Sequence, residues 1–216
     1  MMNYKEAPNV ASQADQQKFA TGIARMASLA ERLHSQGKLP ERFAPEPSRL
    51  HPSLEEKVRQ ETITIGGKSK QDLGSELDRA SGIQLTDYAR SMIRSDQFTT
   101  LPNPEQIDLA ILQVLDLGIK KVYPTTAEIH AWVGGSDYFD FVPAEVGPHY
   151  RLQNGNQPQG EVLFMGMKPI ADSDGYPRVF AVEHAADGLW LHGYWARPDD
   201  EWSPDDRLVL GFRKSS

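Results

Sequence analysis

The apolar positions of the chain change period along its length. From about Ala14 to Gln36, Phe19, Ile23, Met26, Ala30 and Leu33 recur at spacings of four and three, one stripe on an amphipathic helix that Gly37 would stop. Pro40, Pro45, Pro47 and Pro52 follow within thirteen positions, a density that forbids a helix and predicts an extended linker. Beyond it the helical period returns in short pieces with caps. Ser53 with Glu56, Ser69 with Asp72 and Thr125 with Glu128 have capping-box spacing. Leu73, Leu77 and Ala80 share one helical face, and Tyr88, Ala89, Met92 and Ile93 another. Ile107, Ile111, Val114 and Leu115, with Asn103 as cap, Pro104 in the first turn and Gly118 as stop, predict the longest helix of this region, Pro104–Leu117.

After about Gly160 the period becomes two. EVLFMGMK, VFAVEH, GLWLHGYW and RLVLGFR are runs of strand length separated by Pro, Gly and Asp, and Asp172–Pro177 and Ala186–Gly188 carry hairpin-turn chemistry. Helices first and strands afterwards predict an α+β fold. Residues 1–60 form an N-terminal helix plus Pro-rich linker, residues 61–135 a helical half, and residues 143–216 a strand-rich part ending in an antiparallel meander of about four strands. The order of helices around the PAEVGPHYRLQ segment (Pro143–Gln153) also fits a winged helix. In that layout Pro143–Leu152 is the recognition helix, with His149 and Arg151 able to meet DNA and Glu145 opposed to it.

Charge argues against that use. The chain carries a net charge of −7 over 216 residues, and only the first sixty residues, with nine Lys/Arg against seven Asp/Glu, have the sign that phosphate requires. The body of the protein therefore excludes nucleic acid as the expected partner. No apolar run is long enough to span a bilayer, and MMNYKEAPNV lacks the apolar stretch of a secretory signal, so the reading is a cytoplasmic protein without a membrane partner. The absence of cysteine removes disulfides, thiolate nucleophiles and thiolate metal sites.

Four constellations carry candidate chemistry. Thr62–Ser69 (TITIGGKS) has the strand, glycines, lysine and serine of a phosphate loop, but Thr62 stands where the first glycine is needed, which leaves a tight turn. Asp172, Asp174 and Gly175 start like a calcium loop and lack its distal ligands. His149, His184 and His192 with Glu145 combine imidazole and carboxylate, the ingredients of a metal site or a His/Glu-dependent hydrolase, without a spacing that joins any two of them. No G-x-S-x-G elbow is present. Finally, if Leu189 and Leu191 face the core, period two places Trp190, His192 and Tyr194 together on the opposite face and Trp195 on the core side.

From about Thr62 to Lys214 the chain resembles a widespread bacterial family of uncharacterised hypothetical proteins, through TTAEIHA (Thr125–Ala131), PAEVGPHYRLQ and MKPIADSDGYPRVF (Met167–Phe180). In the pattern of that family a cysteine often precedes the first proline of PAEVGP, where this chain has Val142, so a thiol role does not transfer. The resemblance implies no activity and no site residues.

The expectation is a non-catalytic binding module without a cofactor. Its contacts are a protein partner, or self-association through the N-terminal helix, made by Trp190, His192 and Tyr194 or by Phe19, Ile23 and Met26. A winged-helix regulator and a hydrolase are the alternatives.

Overall fold

A computed structural model of the chain describes residues 57–213. The chain divides after Arg49, and the described residues all belong to the second unit. The predicted helix of Phe19, Ile23 and Met26, the Pro40–Pro52 linker and the Ser53–Glu56 cap lie outside them.

The described residues build one mixed nine-stranded sheet with four helices, not a helical half followed by an antiparallel meander. In chain order the elements are β1 (Arg59–Ile65), α1 (Lys70–Arg79), β2 (Ile83–Leu85), α2 (Asp87–Arg94), β3 (Glu105–Gln113), α3 (Thr126–Gly134), β4 (Phe139–Asp140), α4 (Val146–Gln153), β5 (Val162–Met165), β6 (Ile170–Ala171), β7 (Pro177–Ala185), β8 (Gly188–Trp195) and β9 (Arg207–Phe212). The strand order is β1-β3-β9-β5-β7-β8-β2, with β4 on β9 and β6 on β7.

Where capping chemistry is local, the predicted helices form. The Ser69 side chain accepts from the Asp72 amide, Thr86 from Ala89, and Thr125 with Glu128 closes a complete capping box. Leu73 and Leu77 of α1 and Ala89, Met92 and Ile93 of α2 are buried, as their spacing predicts. The glycine turn after β1 is a tight turn: Gly66 has φ +77° and Gly67 φ +74°, and Lys68 pairs with Glu76.

The predicted Pro104–Leu117 helix is instead β3 followed by a short 3-10 turn at Val114–Leu117. Its consecutive residues Leu109, Ala110, Ile111 and Leu112 are all buried, because β3 lies inside the sheet between β1 and β9 and is covered on both faces. A continuous apolar run of this kind has no period of its own and satisfies a helical template by chance.

The meander fails at its last step. β7 and β8 form the expected antiparallel hairpin, and β5 pairs antiparallel with β7. β9, however, crosses to the far side of β5, where it lies parallel to β5 and antiparallel to β3. Leu208, Val209 and Leu210 are buried in succession, which suits a strand interior to the sheet.

The winged-helix layout falls with these findings, and the reason is burial. Every residue from Val146 to Arg151 of α4 is buried, so α4 has no face to offer a DNA groove. Gly147 shows how closely it packs: a Cβ there would lie 2.7 Å from the Phe180 Cβ and 3.1 Å from its Cγ. Gly147→Ala is expected to destabilise the fold by about 1–3 kcal/mol despite alanine's better helix propensity. A thermal melt unchanged from the parent protein would contradict that packing.

Candidate functional site

The two faces of β8 carry different chemistry, and its register with β7 fixes both. Ala181 pairs with His192, Val179 with Tyr194 and Glu183 with Trp190, so Trp190, His192, Tyr194 and Glu183 share one face. Leu191 is buried on the other. The expected aromatic row therefore exists, and its rings touch. Trp190 and His192 stack with centroids 5.4 Å apart and planes 19° apart, and His192 meets Tyr194 edge-on at 5.5 Å. Phe164 of β5 extends the row, 5.0 Å from Tyr194 and 5.1 Å from Trp202. Trp202 is anchored by a hydrogen bond from its Nε1 to Thr126 Oγ1 of α3, at 2.9 Å.

Carboxylates border this row. Trp190 Nε1 donates to Asp187 Oδ1 at 2.9 Å, and His192 Nε2 lies 2.9 Å from Glu183 Oε2. Burial pushes the His192 imidazole below its ordinary pKa, against Glu183 and Asp187, which favour its charged form. Burial, with Glu183 and Asp206, raises the Tyr194 hydroxyl. Trp190 and His192 spend ring face on one another and are half-buried, while Tyr194 is 37% exposed. The Tyr194 end of the row opens furthest to solvent.

At that end, the other face of the sheet carries a second aromatic group. Arg178 of β7, only 2% exposed, lies between two rings: its guanidinium carbon is 3.6 Å from the Tyr88 centroid and 3.9 Å from that of Trp195. The guanidinium also pairs with Asp172 and donates to Gly193 O. Tyr176 meets Trp195 edge-on at 5.2 Å, and the Arg197 guanidinium lies 4.7 Å from the Trp195 centroid and 5.0 Å from that of Tyr176. The outer rings remain open: Tyr88 is 40%, Tyr176 43% and Trp195 44% exposed, and Arg197 is exposed. Among the described residues seven large hydrophobic side chains are exposed, and three of them (Tyr88, Tyr176 and Trp195) gather around Arg178 and Arg197 on this face, with Tyr194 on the opposite one.

Trp195 thus corrects the expectation that it faces the core. Its parity is as predicted, since it shares a face with Leu191 and Gly193. But α2 covers that face only as far as Gly193, where Met92 and Tyr88 close in, and Trp195 emerges beyond the helix. Tyr88, Tyr176 and Arg197 were not legible as partners: each belongs to a different element, and no spacing links them. The one sequence signal is the run Tyr194-Trp195-Ala196-Arg197, rich in the residue types that dominate binding surfaces.

The histidine set is dispersed. His149 sits on the buried helix α4, with Nε2 3.4 Å from Glu145 Oε2. His184 pairs with Leu189 in the β7–β8 register, which places it on the face opposite His192, and its Nδ1 contacts Gln157 O. Glu145 is 1% exposed, and its carboxylate accepts from the Gly66 and Leu101 amides at 3.1 and 2.8 Å, so it serves as a clamp between two loops. The Asp172 turn has its own structural occupation. Asp172 accepts from Arg178 and from the amides of Asp174 and Tyr176, which leaves it no role as a calcium ligand. Among the described residues no group of three or more His, Asp or Glu side chains is arranged to hold a metal ion, and no helix is long and apolar enough to cross a membrane.

The PAEVGPHYRLQ segment supplies internal ties. Arg151 is fully buried and donates to Gln157 Oε1, Glu183 O and Asn154 O, all neutral acceptors. Burial lowers its pKa to about 10. Gln153 donates to Thr64 O and accepts from Thr64 N, pairing with the outer edge of β1 as a strand would. Tyr150 donates to Glu61 Oε2 at 2.8 Å. Compared with family models, curated proteins and solved structures, the chain matches none.

Proposed function

We propose that this protein is a non-catalytic, cytoplasmic interaction module that binds a protein partner at the end of β8. The observation that carries the reading is the gathering of Tyr88, Tyr176 and Trp195 with Arg197 at one place on the surface. Tyr, Trp and Arg are the side chains that dominate the energetics of protein interfaces. Arg178 holds Tyr88 and Trp195, and Tyr176 and Arg197 pack on Trp195, before any partner arrives, which lowers the ordering cost of association. The buried, internally bonded PAEVGPHYRLQ segment supports treating the likeness to bacterial hypothetical proteins as a likeness of fold, with the binding surface elsewhere.

A photo-crosslinking side chain placed at position 176 in cells is expected to give one discrete adduct. Trp195→Ala in the same protein is expected to weaken that association by roughly thirtyfold, the loss of a hot-spot residue worth about 2 kcal/mol. The crosslinker at Leu115, an exposed apolar residue just after β3, which β9, β5 and β7 separate from β8, serves as the control. The same adduct from both positions, or one indifferent to Trp195→Ala, defeats the proposal.

A further inference from the structure

We propose that the cleft between β1 and β9 is a binding site for a small oxyanion, a carboxylate or a phosphate. The cleft encloses about 430 Å³ and is lined by Lys57, Arg59, Ile111, Gln113, Asp116 and Arg207. It is independent of the aromatic cluster at β8.

β3 forms its floor, and the sheet register sets an arginine on each side. Arg59 of β1 pairs with Ile111, and Arg207 of β9 pairs with Gln113. Both reach one carboxylate, Glu161, whose side chain is 3% exposed. Glu161 Oε1 accepts from Arg59 Nη1 at 2.6 Å and from Arg207 Nη1 at 2.7 Å, and Oε2 accepts from Arg59 Nη2 at 3.1 Å. The other carboxylates nearby are also engaged. Glu61 contacts Arg59 Nε at 3.0 Å and accepts from Tyr150, and Asp116 accepts from Lys57 at 2.8 Å on the rim.

Donors exceed acceptors in this arrangement. A guanidinium has five N–H groups, and among the described residues Arg207 spends one of them, on Glu161. Both arginines stay partly open to solvent, 38% for Arg59 and 43% for Arg207. A buried carboxylate orients two guanidinium groups from below while, among the described residues, their outer donors remain unspent, the geometry in which a bidentate oxyanion contact forms. Gln113 beside Arg207 adds an amide donor. The fork geometry favours a planar or tetrahedral oxyanion over a halide.

The test is an NMR titration of the full chain with inorganic phosphate, and separately with succinate, following the Gln113 side-chain amide and the Arg59 and Arg207 Nε–H signals. Saturable shifts confined to these groups and weakening with added chloride are expected, and the tighter arm names the anion. Arg207→Gln, at a half-exposed position, should weaken binding about tenfold without changing the rest of the spectrum. Glu161→Gln makes the cleft more positive yet removes the orienting carboxylate, and it should weaken binding as well. Absent or linear shifts with either anion, affinity indifferent to Arg207→Gln, or tighter binding in Glu161→Gln would each overturn the proposal.

Discussion

Replacing Arg178 by alanine is expected to cost the fold about 3–5 kcal/mol, the penalty for leaving one member of a buried ion pair without its partner. Asp172 is 7% exposed, and without Arg178 it keeps only the amides of Asp174 and Tyr176, each at 2.9 Å. The same substitution empties the space between Tyr88 and Trp195 and releases Gly193 O. Against the 5–15 kcal/mol of a typical domain this is a large fraction. Arg178→Lys keeps the charge but loses the planar stack, so an intermediate loss is expected.

The acid limb of stability reports the same pair. Burial alone would raise the Asp172 carboxyl, but the Arg178 guanidinium and the two amides outweigh it and hold the group below the ordinary carboxylate range. A carboxyl depressed in the folded state adds stability that is complete above its unfolded pKa, about 3.9, and disappears as the pH falls through the folded value. In Arg178→Ala the opposing cation is gone, the folded pKa rises, and acid unfolding should begin at higher pH. Urea titrations at pH 7 and across the acid range measure both effects. Equal stability at neutral pH together with an unmoved acid midpoint would show that the pair contributes nothing.

Glu145→Ala is the second substitution expected to be severe. Its carboxylate, 1% exposed, satisfies the Gly66 and Leu101 amides and lies beside His149 Nε2. Each buried N–H left without an acceptor costs about 1–3 kcal/mol, so roughly 2–6 kcal/mol is at stake from the two amides. The loops they belong to cannot adjust easily. Gly66 has φ +77°, and a Cβ there would fall 2.3 Å from Asn103 O, so the turn and the Leu101–Pro104 segment are in van der Waals contact with no slack. Glu145→Gln keeps one acceptor and turns a second donor toward a donor, so a smaller loss is expected. Amide exchange gives the local readout. Gly66 and Leu101 should lose protection in Glu145→Ala ahead of the rest of the sheet, and unchanged protection at those two amides would falsify the clamp.

Both positions show how far sequence reasoning reaches. The Asp172–Pro177 turn was legible from Asp, Gly and Pro alone, because an Asx turn is made by neighbours in the chain. That its aspartate also holds a buried arginine was not. Likewise Pro143, Gly147 and Pro148 mark the PAEVGPHYRLQ segment as unusual, but nothing in it announces that Glu145 reaches back to Gly66, 79 residues earlier. The aromatic row on β8 was readable through period two. The cluster beside it was not, since Tyr88, Tyr176, Trp195 and Arg197 come from α2, a turn, a strand and the segment after it.

The sequence by itself determined the interactions that close within a few residues. These are the caps of α1 and α3, the glycine turn after β1, the β7–β8 hairpin and the alternation that sets Trp190, His192 and Tyr194 on one face. Each depends on backbone dihedrals and hydrogen bonds between near neighbours, and these leave a pattern in the chain. Only the tertiary structure decided that residues 105–113 are a strand, that β9 lies between β3 and β5, that α4 is buried, and that Trp195 surfaces past the end of α2. Those outcomes turn on which apolar surfaces cover one another. A run such as Leu109–Leu112 is buried equally well as a helix or as a strand, and the choice falls to the neighbours it meets.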